Sequence, residues 1–253
     1  MFKKKLAVAF LGFLLLLLWI QLSKLWTFSL LMPSLFLIFI TKNSYEYAKA
    51  KKICISKCYF KENSLLYALW TKKTFIFLFS LFIGIALTTS LIFASFNFSN
   101  IDIFILFMDT FMILSLYTLL EKNRTFNENI NTPIIKNITA SINSLVLIII
   151  FFLFALYQTP PSYIEVDLSS TWKNIEQLQY SQSPYIDSMA YVSSLIIATK
   201  WWMLSNIDTF IENHYLKMIV YFFQLLGNYV MVFAYSRFIL EITDLFTPKD
   251  LSR

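Results

Sequence analysis

The sequence predicts an all-α, polytopic membrane protein, and three observations carry that expectation. First, 58% of the 253 residues are hydrophobic and only 14% are charged, more apolar surface than a water-soluble domain can hide. Second, six apolar stretches, at about 6–22, 26–41, 74–96, 102–120, 138–158 and 216–240, reach or approach the roughly 20 residues that cross a hydrocarbon core about 30 Å thick. Third, lysines and arginines gather beside alternate connections, as they do at the ends of spanning helices. No water reaches the bilayer centre to satisfy backbone groups, so such runs must be helices.

The first stretch follows Lys3, Lys4 and Lys5 and looks like a secretion signal, but no small-x-small cleavage site comes after it. An uncleaved helix with its amino terminus in the cytoplasm is expected. Pro33 interrupts the second stretch, leaving a tight hairpin or a bent, re-entrant helix as the alternatives. Residues 41–73 hold Lys42, Lys49, Lys51, Lys52, Lys57, Lys61, Lys72 and Lys73 and read as a cytoplasmic loop. Its interleaved Tyr45, Tyr47, Leu65, Leu66, Tyr67, Leu69 and Trp70 suit an anionic membrane face or a cytoplasmic partner. Residues 97–101 carry no basic residue, whereas 121–137 carry Lys122, Arg124 and Lys136 and face inward. From Thr159 to Tyr215 two lysines stand against Glu165, Asp167, Glu176, Asp187, Asp208 and Glu212, which places this stretch outside. The last helix returns inward toward Arg237, Lys249 and Arg253. The resulting division is a four-helix region, 1–137, and a second unit, 138–253. A bacterial cytoplasmic membrane with both termini inside is the expected setting, an organellar inner membrane the alternative.

Several function classes are disfavoured. There is no Gly-rich phosphate loop, no His-Glu-x-x-His and no nucleophile elbow, so neither an enzyme nor a cofactor is expected. The net charge of +6 sits beside apolar segments, where it serves orientation and lipid contact rather than nucleic acid. Cys54 and Cys58 are expected to be ordinary reduced thiols. His214 is the only histidine and lies across the membrane from them on this reading, so no metal site is expected.

Residues 187–206 are moderately apolar but contain Lys200, costly at depth, next to Trp201 and Trp202, which favour the interface. A re-entrant or interfacial helix between the fifth and sixth spans is therefore expected. Residues 187–204 resemble the pore helix and filter of the potassium channel superfamily. Tyr191 meets the pore-helix aromatic, Ser193 the serine, Thr199 the last threonine and Trp202 the filter tyrosine. The resemblance implies a helix, turret, dipping helix and helix module, with Gly227 at the position of a gating hinge. Close helix packing is the alternative reading of Gly227. Thr199, Lys200, Trp201, Trp202 and Met203 contain no glycine, so the resemblance implies altered selectivity or a non-conducting subunit, with a plain interfacial hairpin as the alternative.

Asp109 should lie about 12 Å deep in the fourth span, eight residues from its outer end. Thr88 and Thr89 on the third span are its expected hydrogen-bond partners, with ion or proton handling the functional alternative. Two further function classes compete with the pore subunit: a six-helix permease of an ATP-driven exporter, and a non-catalytic subunit of a larger membrane complex. Membrane lipids are the expected partners, with a homo-oligomer or a larger complex as the assembly.

Overall fold

In the computed structural model, residues 2–24, 31–59, 64, 67, 71–123, 130–157, 161–176, 180–210 and 214–246 are described. They form eight helices: α1 (Phe2–Leu22), α2 (Leu31–Tyr59), α3 (Lys73–Ser95), α4 (Asn100–Lys122), α5 (Thr132–Tyr157), α6 (Leu168–Glu176), α7 (Pro184–Phe210) and α8 (His214–Phe246). No strand occurs among the described residues. The fold is all-α, and five helices are long and apolar enough to cross a membrane: Phe2–Leu22, Lys73–Ser95, Asn100–Lys122, Thr132–Phe151 and Leu225–Phe246.

The helix ends follow from local chemistry. At the start of α4 the Ser99 hydroxyl accepts from the Asp102 amide, and the Asp102 carboxylate accepts from the Ser99 amide at 2.8 Å. This capping box satisfies two of the amides a helix start leaves without partners. Pro133 and Pro184 occupy the second and first residues of α5 and α7, where a missing N–H breaks no helical hydrogen bond. From Pro33, the third described residue of α2, the helix runs on to Tyr59; the segment in which a hairpin or bend would lie, 25–30, is outside the described residues.

α8 is the central element. It packs on α1, α2, α3, α4 and α5, which surround it in the order α3, α2, α5, α4, α1. The ring closes where Trp19 of α1 donates to the Ser95 hydroxyl of α3 at 2.9 Å and packs edge-on against Phe96. From Met231 to Thr243 every residue of α8 but Phe233 is buried. Large apolar residues on the outside of the ring, Phe82, Phe104, Leu119 and Ile149 among them, are exposed, as lipid-facing positions must be. The expected boundary at 137/138 falls inside α5, and the helices on both sides of it share one core.

Depth in the bundle is fixed by close approaches. Gly84 lies eleven residues from either end of α3, and a Cβ there would sit 3.1 Å from the Thr41 backbone. Thr41 is thus at mid-depth, and α2 continues through the other half of the bundle beyond it. This corrects the expected cytoplasmic loop starting at residue 41. Residues 42–52 of α2, with α5 from Thr132 and the end of α8, build the half of the bundle nearest the amino terminus.

At the opposite end α7 lies across the bundle. Ser181 donates to the Ser23 carbonyl at 2.6 Å, Ser193 to the Phe93 carbonyl at 2.5 Å, and Lys200 to the Asn228 side chain at 2.9 Å. These partners are the far ends of α1 and α3 and a point in α8 level with the start of α4. From Asn228 to Phe246 α8 rises about 27 Å, close to one hydrocarbon thickness. The 14 residues before Asn228 extend about 20 Å beyond the rim.

Candidate functional site

Helical spacing gathers charge inside this apolar bundle. Arg237, Glu241 and Asp244 of α8 are four and three residues apart and share one face; Lys136 and Asn143 of α5, seven apart, share another. Against them α2 turns Lys42, Asn43, Ser44 and Glu46.

The first layer lies in the half of the bundle nearest the amino terminus. Lys136, 1% exposed, pairs with Glu241 at 2.9 Å, Asp244 at 2.8 Å and Glu46 at 3.4 Å. Glu241, fully buried, also takes Lys42 at 2.8 Å and accepts from the Asn43 amide at 3.2 Å. Arg237 donates to the Ser44 hydroxyl at 2.6 Å and to the Asn137 side chain, and its guanidinium lies 4.5 Å from the centre of the Phe233 ring. Three cations, Lys42, Lys136 and Arg237, stand against three acids, Glu46, Glu241 and Asp244, so the layer is neutral as a whole. Taking ions out of water is compensated only by such pairing and hydrogen bonding.

The second layer lies at mid-depth. Asn143 donates to the Asp109 carboxylate at 3.2 Å and to the Ser236 hydroxyl at 3.0 Å, joining α4, α5 and α8. Beside it the Thr110 and Tyr235 hydroxyls are 2.7 Å apart, and Tyr235 also reaches the Leu106 carbonyl at 3.2 Å. Asp109 and Asn143 each keep one buried oxygen, Oδ1, that no donor among the described residues reaches. At the amino-terminal rim Lys5 pairs with Glu121 at 2.5 Å and sits 4.8 Å from the Tyr117 ring centre.

The residues singled out in the sequence separate into two places. Asp109 is buried at depth as expected, but its partner is Asn143. Thr89 is exposed, and buried Thr88 has no hydrogen-bond partner among the described residues. The physical reason is the ring order, which puts α1 between α3 and α4. Thr199, Lys200, Trp201, Trp202 and Met203, with Tyr191 and Ser193, lie far from Asp109 on α7, which is helical without a break from Pro184 to Phe210. An irregular return after a pore helix is not what this segment forms, because helical carbonyls there are engaged along the backbone. The same unbroken helix leaves no hairpin within Pro184–Phe210.

The side chains of α7 serve docking. Thr199 accepts from Trp172 at 3.1 Å, Trp202 donates to the Val166 carbonyl at 2.9 Å, and the Tyr191 hydroxyl donates to Glu176 at 3.4 Å. Burial pushes the Lys200 ammonium below the usual lysine range, with Asp102 opposing the shift. Gly227 is exposed, and a Cβ there would meet nothing within 4 Å among the described residues, so packing against them does not call for it. Cys54 and Cys58 fall in the last turns of α2, and their side chains lie outside the described residues, as do Leu65, Leu66, Leu69 and Trp70.

Sequence reasoning missed Lys42, Asn43, Glu46, Lys136, Arg237, Glu241 and Asp244 as a site, having assigned most of them to aqueous loops and ends. The helical spacing of Lys136 with Asn143, and of Arg237 with Glu241 and Asp244, was the available signal. Among the described residues no group of three or more His, Cys, Asp or Glu is arranged to hold a metal ion. No known family model matches the chain, and no curated protein or solved structure is similar to it.

Proposed function

We propose that this chain is a transport protein of the membrane, in which the ion-pair contact of α8 with α2 and α5 controls passage of a small charged solute. One observation carries the reading: Lys136 and Glu241, 1% and 0% exposed, are each shared among several partners on neighbouring helices within a membrane bundle. Charges buried inside a membrane bundle are rare and mark ion and substrate paths. A static bundle does not need them, because well-packed apolar residues of similar volume hold helices together as well or better. Sharing also permits movement. Lys136 reaches three acids and Glu241 two lysines, so α8 can shift along its axis while each charge keeps a partner.

A second reading, a subunit of a larger membrane assembly, is favoured by a different observation. On the part of α8 beyond the rim, Tyr215, Met218, Phe222 and Leu226 form an exposed apolar stripe at helical spacing. Pore subunit and exporter permease are narrower forms of the transport reading and differ in symmetry, fourfold around α7 in the first and twofold in the second.

The test is reconstitution into lipid vesicles loaded with a pH-sensitive dye, with proton, sodium and potassium gradients imposed in turn. Transport predicts that at least one gradient collapses faster than in empty vesicles, and that Lys136→Met alters the rate. Vesicles as tight as empty ones, from protein that purifies only together with other chains, would replace transport by the assembly reading.

A further inference from the structure

The mid-depth layer contains an acid that the charged layer does not compensate. Asp109 is 2% exposed, nine residues into α4, or about 14 Å from the start of that helix. Each element packed against α4 presents a defined set of groups. α1 offers Phe10 and Phe13 against Phe107 and Phe111, and its nearest charge, Lys5, is held at the rim by Glu121. α5 offers Asn143, while Lys136, about 10 Å further along, is engaged with Glu46, Glu241 and Asp244. α8 offers Tyr235, bonded to Thr110 and the Leu106 carbonyl, and Ser236; Arg237 turns to Ser44 and Asn137 instead. No cation among the described residues reaches Asp109.

An ionised carboxylate is not held at this depth without a positive partner, so the site must take one up. The unengaged oxygens decide which kind. In this layer, among the described residues, Oδ1 of Asp109 and Oδ1 of Asn143 are the side-chain oxygens that lack a donor, whereas a hard metal ion gathers about six oxygens or more. The hydroxyls of Thr110, Tyr235 and Ser236 are already in hydrogen bonds.

We propose that Asp109 is an exchangeable proton-binding position at the centre of the bundle, with Asn143 as the group that reports its state to α8. The carboxylate takes one proton and becomes a neutral carboxylic acid; nothing else is exchanged. As a carboxylate it accepts from the Asn143 amide, which holds Ser236 of α8 with the same nitrogen. As an acid its Oδ1 becomes a donor while Oδ2 still accepts from the Asn143 amide, so protonation adds a donor beside the group that links α4, α5 and α8. Polar groups lie on the amino-terminal side of this layer, where Arg237 follows Ser236 in α8 and Lys136 stands two turns before Asn143 in α5, and the proposal puts the exchange on that side. This deepens the transport reading, on which its consequence for α8 rests, by naming the proton as the coupling ion.

The measurement is the infrared carbonyl stretch of a protonated carboxylic acid, titrated from about pH 5 to pH 9 on full-length protein in lipid nanodiscs. The expected result is a band that disappears as pH rises, is missing in Asp109→Asn, shifts in frequency in Asp109→Glu and survives in Glu121→Gln. Asp109→Glu keeps the test readable if Asp109→Asn does not fold. A band absent at every pH, unaffected by Asp109→Glu, or constant across the titration overturns the proposal. Displacement of the band by sodium or potassium at fixed pH also overturns it, in favour of a metal cation. The readout is independent of flux: titrating protein that moves no ion keeps the site and removes the transport reading, while flux without a titrating band does the reverse.

Discussion

The three glycines show how one residue type answers to three surroundings. At Gly84 an added Cβ would overlap the Thr41 hydroxyl and lie 3.1 Å from the Thr41 Cα, so α2 and α3 must separate. At Gly12 it would meet the Ile239 Cδ1 at 2.9 Å, the far end of a side chain that can turn aside. At Gly227 it would meet nothing within 4 Å. Gly84→Ala is therefore expected to destabilise by about 1–3 kcal/mol through overpacking, and Gly12→Ala by less than about 1 kcal/mol. Gly227→Ala should be neutral or stabilising by up to about 1 kcal/mol, since alanine is the better helix former. Unfolding midpoints in detergent check the order. If Gly227→Ala weakens the protein as much as Gly84→Ala does, another chain covers that position. The sequence offered hinge or packing for Gly227 and could not choose, because the answer depends on which neighbours the fold supplies. Asp109 was legible for a better reason. It is the acid in the apolar middle of a helix whose other acids, Asp102 and Glu121, stand at its ends, but its partner was set by ring order, which no local pattern encodes.

At the scale of elements, α2, α5 and α8 carry the charged layer, and the same helices were the ones whose limits the sequence misplaced. Hydropathy ends a span where polar residues begin, which put 41–73 and Lys136 in loops and Arg237 beside a tail. Yet Lys136, Arg237 and Glu241 are buried because three polar faces meet one another. Pairing of that kind connects residues such as Asn43 and Glu241, 198 positions apart, and is invisible within any single segment. The arrangement has a measurable consequence. Lys136→Met leaves Glu241 and Asp244 without their shared cation and is expected to cost about 3–5 kcal/mol, the usual penalty for stranding a buried charge. Adding Asp244→Asn to Lys136→Met should restore a large part of that loss, because Lys42 and Arg237 then stand against Glu46 and Glu241 and the layer is neutral again. Denaturation of the single and double variants in mixed micelles separates the cases. A double variant less stable than Lys136→Met would mean that the layer acts through hydrogen bonds and shape instead of charge balance.

For the whole molecule, α8 threads a closed ring of five helices, with one end beyond the rim beside α7 and the other among the charges. Fold class and strand absence followed from composition alone, since a chain this apolar has few other ways to satisfy its backbone in lipid. The position of α7 was half legible: Lys200, Trp201 and Trp202 argued for the interface, while the run of apolar residues around them hid a helix of 27 residues. Orientation rests on the basic residues, which crowd the end of the bundle holding Lys3, Lys4, Lys5, Lys49 and Lys51, whereas α6 and α7 lie at the other. By the positive-inside rule the Lys5 end is expected to face the cytoplasm, which labelling tests. With Cys54 and Cys58 first replaced by serine, a membrane-impermeant maleimide is expected to label Tyr185→Cys and Phe222→Cys in intact cells, both positions being exposed at the far end. Lys51→Cys and Lys3→Cys should react only after the membrane is opened. The alternative outcome is equally specific. Labelling of Lys51→Cys from outside together with protection of Tyr185→Cys would invert the molecule, and the Asp109 proton would then exchange with the external side while every helix contact stayed as it is.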